Sequence, residues 1–114
     1  GLDLAKFDLT IKNLKFANKS IKFFTEKNIK DNSTYLNKNK SLILNKEFFN
    51  YPEEVVFRSF SEVIKIIGKK YYSVRGKKID EIIDLISNKT LFKITLGNCV
   101  IKKVNHTVIV TKEH

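Results

Sequence analysis

From residue 90 onward the hydrophobic pattern changes its period, and this change limits the fold more than any other feature. Phe92, Ile94 and Leu96 alternate with Lys93 and Thr95. Two turn pairs follow, Gly97-Asn98 and Asn105-His106. The runs Cys99–Val104 and Thr107–Thr111 after them read as strands. Alternating runs joined by two-residue turns specify antiparallel hairpins. The segment 90–113 is therefore predicted to be a three-stranded antiparallel meander.

Upstream the period is helical. Phe7, Ile11, Leu14 and Ile21 recur at steps of four, three and seven, which keeps them on one face. They predict one long helix over residues 3–30, with Asp3 or Asp8 as its cap. Lys12, Lys15, Lys19 and Lys22 fall together on another face. Phe16, Phe23 and Phe24 lie off the main stripe. They imply a second apolar face covered by the following strands, a second copy or another domain. The alternative is an ordinary core helix with wide burial.

Residues 31–40 are polar and read as a loop, with a short strand at Tyr35-Leu36. Ser41 to Leu44 is a short apolar strand candidate, and Asn45 is placed to cap a turn through Phe48-Phe49. Pro52, Glu53 and Glu54 mark a helix start. Proline suits the first helical position, and carboxylates suit the first turn. Val56, Phe60, Val63, Ile64 and Ile67 then predict a second helix over 52–67, ended by Gly68. Ile79, Ile82, Ile83 and Ile86 predict a third over about 77–87. The expected fold class is α+β: a long N-terminal helix, two further helices and a C-terminal three-stranded antiparallel sheet. One domain spans 1–114, with a connecting helix over 1–30 and a loop with a short strand over 31–50. A helical pair over 51–88 and the meander complete it.

Composition narrows the function. The chain has 114 residues and a net charge of +10, from 22 basic and 12 acidic side chains. Its 42% hydrophobic content supports a real core. One cysteine, Cys99, excludes an internal disulfide framework and a cysteine-based zinc site. No apolar run approaches the ~18 residues of a membrane span, and no signal peptide opens the chain, so a cytoplasmic setting is expected. The sequence has no methionine and begins with Gly1. It reads as a segment of a longer protein, with Gly1 left by tag removal. All basic residues except Arg58 and Arg75 are lysine. The charge therefore has two readings, codon bias with solubility or a polyanionic partner. Residues 1–50 and 51–114 each carry +5, so any nucleic-acid surface must be built by folding.

Autonomous chemistry is hard to find. The sequence contains no Gly-rich phosphate loop, paired metal-ligand motif or nucleophile elbow. Cys99 lies in an apolar strand with no basic neighbour and reads as a small buried hydrophobe. Glu53-Glu54 and Asp80-Glu81 are adjacent pairs that do not face each other on a helix, so they read as first-turn dipole partners. His106 sits in a turn and reads as solvated. The connection from Gly68 to Lys78 stands out, with Lys69, Lys70, Arg75, Lys77 and Lys78, two tyrosines and no acid. Such a loop can place cations on phosphates while Tyr72 stacks on a base or sugar. The alternative is a solvated connection whose tyrosines pack on the core. Arg58 either pairs with a buried carboxylate or supports this loop, and Lys12, Lys15, Lys19 and Lys22 are further supporting candidates.

The series Phe49-Asn50-Tyr51-Pro52, Arg58, Tyr72, Arg75, then Thr95-Leu96-Gly97-Asn98-Cys99-Val100-Ile101 and Glu113, resembles the C-terminal substrate-recognition region of bacterial tRNA(Ile)-lysidine synthase. That family was formerly labelled cell-cycle protein. Phe7, Thr10-Ile11, Asn13-Leu14 and Ala17-Asn18 resemble the helix after its catalytic domain. Val74 stands where the family often has proline, and Asn98 where a second glycine is common. Asparagine tolerates positive φ, so the turn is expected to survive. The resemblance implies a non-catalytic, tRNA-positioning domain of an ATP-dependent RNA-modifying ligase, which attaches lysine to the wobble cytidine. It implies tRNA and the N-terminal catalytic domain as partners; the off-stripe Phe16, Phe23 and Phe24 separately motivate the alternative, a structural or dimerisation module with no direct RNA contact, with a homodimer through the long helix. The family's Ser-Gly-Gly-x-Asp-Ser motif is absent from these residues. ATP, lysine and magnesium would belong to the parent enzyme, with no cofactor or metal and no catalytic residue in this segment.

Overall fold

The computed structural model describes residues 19–69 and 76–113. Within them the fold is α+β, with helices packed on one face of an antiparallel sheet. The first helix, α1, is described over residues 19–32 and so runs two residues past the expected end. It leads into strand β1 (Ser33–Leu36), which turns back into β2 (Ser41–Leu44). A 3-10 turn over Lys46–Phe49 precedes helix α2 (Glu53–Gly68). Helix α3 (Gly76–Asn88) then leads into β3 (Leu91–Leu96), β4 (Cys99–Val104) and β5 (Thr107–Lys112).

The meander forms as expected, but the sheet has five strands, in the order β1-β2-β5-β4-β3. Strand β2 pairs antiparallel with β5, Ser41 opposite Thr111 and Leu44 opposite Val108, and β1 pairs with β2. The expected three-stranded sheet is thus corrected. The two short runs placed within a loop region are its remaining strands. The partner that ties β2 into the sheet, β5, lies more than sixty residues downstream, and local periodicity carries no sign of such a pairing.

Leu42, Leu44, Ile101, Val108 and Val110 point from the sheet into the core. Phe60, Val63, Ile64 and Ile67 of α2, with Ile79, Ile82 and Ile86 of α3, close over them. These are the residues whose spacing predicted the helices. Burying one such side chain contributes about 1.5–3 kcal/mol. Phe48 is fully buried at the 3-10 turn. Asn45 caps that turn as expected, its side-chain oxygen accepting from the Phe48 N–H at 3.1 Å.

The ends of the helices differ in detail from expectation. Pro52 is the N-cap of α2 and not its first helical residue, and its carbonyl accepts from the Val56 N–H. Gly68 remains helical, and the left-handed residue that ends α2 is Lys69, at φ 53°. In the β3–β4 turn Gly97 and Asn98 both take positive φ, 57° and 66°. This is the requirement of the type I′ hairpin, which asparagine meets.

Candidate functional site

The strand pairings define which loops share an end of the sheet. The β1–β2 turn (residues 37–40), the β3–β4 turn (97–98) and the last residues of β5 lie together. The Glu113 N–H donates to the Asn98 carbonyl at 2.7 Å and ties them. Helix α2 ends against the same place. A Cβ on Gly68 would stand 2.1 Å from the Gly97 carbonyl oxygen. Helix α3 runs back the other way. At its far end the Lys103 ammonium donates to the Ile86 carbonyl, a free acceptor of the last turn.

This geometry collects charge that is dispersed in the sequence. Lys69, Lys77 and Lys78 flank the α2–α3 connection and are exposed. Lys38 and Lys40 stand on the β1–β2 turn at the same end of the sheet as Lys69, and Lys112 closes β5, whereas Gly76, beside Lys77 and Lys78, stands against Phe57, about three turns back along α2. Lys77 and Lys78 occupy the first turn of α3, which carries no acid. Cations there oppose the helix dipole, at a cost of about 0.3–1 kcal/mol each when exposed. An anion bound at this end would relieve that cost. Lys38, Lys40, Lys102 and Lys112 were not candidates in the sequence, because only the sheet register brings them together.

The other sequence-predicted residues are scattered. Lys70, Tyr72, Arg75, Lys12 and Lys15 lie outside the described residues, as does Phe16. Lys19 and Lys22 are exposed on α1. Arg58 lies on the solvent face of α2, its Nε 2.8 Å from Glu54 Oε1, with both side chains about half exposed. It therefore pairs with an exposed carboxylate one turn away and not with a buried one. Such a pair contributes about 0.3–0.5 kcal/mol.

Among the titratable groups, Glu53 and Glu54 occupy the first turn of α2 as expected. Asp80 and Glu81 do not occupy the first turn of α3, which begins at Gly76. With Asp84 and the two glutamates, Asp80 rims a groove of about 600 Å³ between α2 and α3, floored by Phe49, Phe57 and Ile83. Cys99 is fully buried, and burial pushes its thiol up to about 11. Its Sγ donates to the Ile64 carbonyl at 3.4 Å, so it is a core residue. His106 is exposed in its turn. Among the described residues no cluster of His, Cys, Asp and Glu is arranged to hold a metal ion, and no helix is long and apolar enough to cross a membrane.

No family model, curated protein or solved structure matches this chain. What it does must be argued from its own geometry. The arrangement suits holding an anion by exposed point charges. The described strands carry four lysines and no carboxylate, whereas α2 and α3 carry six carboxylates. The same two helices also carry Arg58, Lys65, Lys77 and Lys78, so the acidic groove repels a polyanion locally and the helical layer as a whole is mixed in charge.

Proposed function

We propose that this chain is a non-catalytic RNA-positioning domain, of the kind its sequence resembles in bacterial tRNA(Ile)-lysidine synthase. The observation that carries the reading is that Lys69, Lys77 and Lys78, which bound the α2–α3 connection, are all exposed, the last two in a first turn of α3 that carries no acid. Such cations contact phosphates and fix the orientation of an RNA, and they read little sequence. In the inferred cytoplasmic parent, a separate catalytic domain binds ATP, lysine and magnesium and modifies the wobble cytidine of the tRNA held here. Tyr72 and Arg75, within the same connection, supply a stacking ring and a bidentate phosphate donor.

The test is tRNA binding by the wild type and by a variant with Lys69, Lys70, Arg75, Lys77 and Lys78 all changed to Gln. If about five cations meet phosphates, log affinity falls with log salt at a slope near −4 in the wild type. The variant flattens that slope and weakens binding at least tenfold. Equal affinity of the two proteins would remove the connection from the interface.

A second reading, a dimerisation or structural module, rests on α1. Phe23 is 61% exposed and Phe24 41%, and Phe24 continues to Tyr51 at a ring separation of 6.2 Å. Contiguous exposed aromatics mark association surfaces. Sedimentation over a hundredfold concentration range tests it, and a strictly monomeric protein excludes it.

A further inference from the structure

The outer face of the sheet has no described element packed on it. Its residues form registered rows: Thr34, Ile43, Ile109, Lys102 and Lys93 across one, and Leu36, Ser41, Thr111, Val100 and Thr95 across the next. None of their apolar side chains belongs to the core cluster. The β1–β2 turn bounds this face on one side. A groove of about 660 Å³ lies there, with Lys38, Lys40, Lys102 and Lys112 around Ile43 and Ile109. No carboxylate lines it.

Two further features belong to this face. Lys93 and Lys102 are direct cross-strand partners, both exposed. Like charges placed opposite each other in a sheet are destabilising unless a counter-charge sits between them. The buried Ser41 hydroxyl is 2.9 Å from its cross-strand partner Thr111, which is half-buried, and the hydroxyls of Thr34 and Thr95 stand exposed on the same rows. The face bears no aromatic side chain in either row, so it offers no platform for stacking bases. It offers cations, hydroxyls and a shallow aliphatic floor. This chemistry fits a sugar–phosphate backbone and excludes readout by stacking.

We propose that the groove on the outer face of the sheet seats the phosphodiester backbone of RNA, with Lys38, Lys40, Lys102 and Lys112 as its phosphate contacts. The inference rests on the RNA-positioning reading and extends it to a second surface. Lys38, Lys40 and Lys112 share an end of the sheet with Lys69, which ends α2 against the β3–β4 turn. Charge complementarity selects the occupant. Binding is indifferent to base sequence and sensitive to salt.

Two variants of equal charge test it. One carries Lys38, Lys40, Lys102 and Lys112 changed to Gln, and the other Lys69, Lys70, Lys77 and Lys78 changed to Gln. Circular dichroism and urea midpoints check that both fold. The probes are a tRNA transcript and a twelve-nucleotide single-stranded RNA. The groove variant is expected to lose at least tenfold in tRNA affinity and about 3 in the salt slope. In the wild type, the Ser41, Ile109 and Thr111 amide resonances are expected to shift on adding the short RNA, in any base composition. Wild-type binding that survives in the groove variant overturns this inference and leaves the RNA reading standing. A loss in the groove variant without amide shifts at Ser41, Ile109 and Thr111 also overturns it, since net charge alone would then explain the loss. A wild type that binds neither RNA overturns both. Binding to phosphatidylglycerol vesicles through these four lysines, with no affinity for RNA, overturns it in favour of a lipid surface.

Discussion

Gly68 has no side chain because the β3–β4 turn fills the space one would need. A Cβ there would meet the Gly97 carbonyl oxygen at 2.1 Å and the Cys99 sulfur at 3.2 Å. The carbonyl belongs to the backbone of a tight hairpin and cannot swing aside. Gly68→Ala is therefore expected to cost about 3 kcal/mol of stability, the upper end of overpacking costs, read as a lower urea midpoint with an unchanged m-value. The neighbouring thiol gives a pH dependence. Burial raises Cys99 from 9.0 to about 11, so the folded state retains a proton that the unfolded chain loses. A raised pKa contributes stability that is complete below about pH 9 and fades as pH rises toward 11. The measurement is the difference between wild type and Cys99→Ala, which should shrink from pH 8.5 to 11. A constant difference would contradict the assignment.

At the scale of elements, α1 is fastened by one polar residue. Asn28 is fully buried. Its amide donates to the Phe48 carbonyl at 3.0 Å and to Ser59 Oγ at 3.1 Å, and its oxygen accepts from Asn32 at 2.9 Å. It joins α1 to the 3-10 turn and to α2 at once. Asn28→Ala leaves a buried carbonyl without a donor, so a loss of about 1–3 kcal/mol in chemical denaturation is expected. Nothing in the sequence distinguished this asparagine, because the surrounding region is full of exposed Asn and Lys. The elements that were legible are those whose signal is local. The apolar spacing of Phe60, Val63, Ile64 and Ile67 marked α2, Asn45 marked the cap of the 3-10 turn, and Gly97-Asn98 marked a hairpin. What was not legible depended on residues far apart in the chain. The pairing of β2 with β5 and the role of Gly68 as a contact point are fixed by tertiary register. So is the company of Lys102 and Lys112 with Lys38 and Lys40. The candidate site in the sequence was one continuous basic stretch, and the fold adds cations from three other segments to it.

For the whole molecule, the arrangement of charge matters more than its total. A net +10 distributed evenly would attract RNA weakly and from every side. Here the strands lack carboxylates, and the groove between α2 and α3 is rimmed by four. On the proposed reading, a polyanion within a Debye length, about 8 Å at physiological salt, is repelled by that groove and meets the sheet and its basic end instead. Among the described residues β1 and β3 are the margins of the sheet, and they are unlike each other. Lys93 guards β3, since a charged side chain on an outer strand discourages lateral pairing. On β1 the sequence Ser33-Thr34-Tyr35-Leu36 holds neither charge nor proline, and Tyr35 and Leu36 are 51% and 38% exposed. That margin is where an extended peptide could zip on as a sixth strand, and where concentrated protein would begin to stack into fibres. Exchanging Thr34 for lysine would close the seam without touching the core.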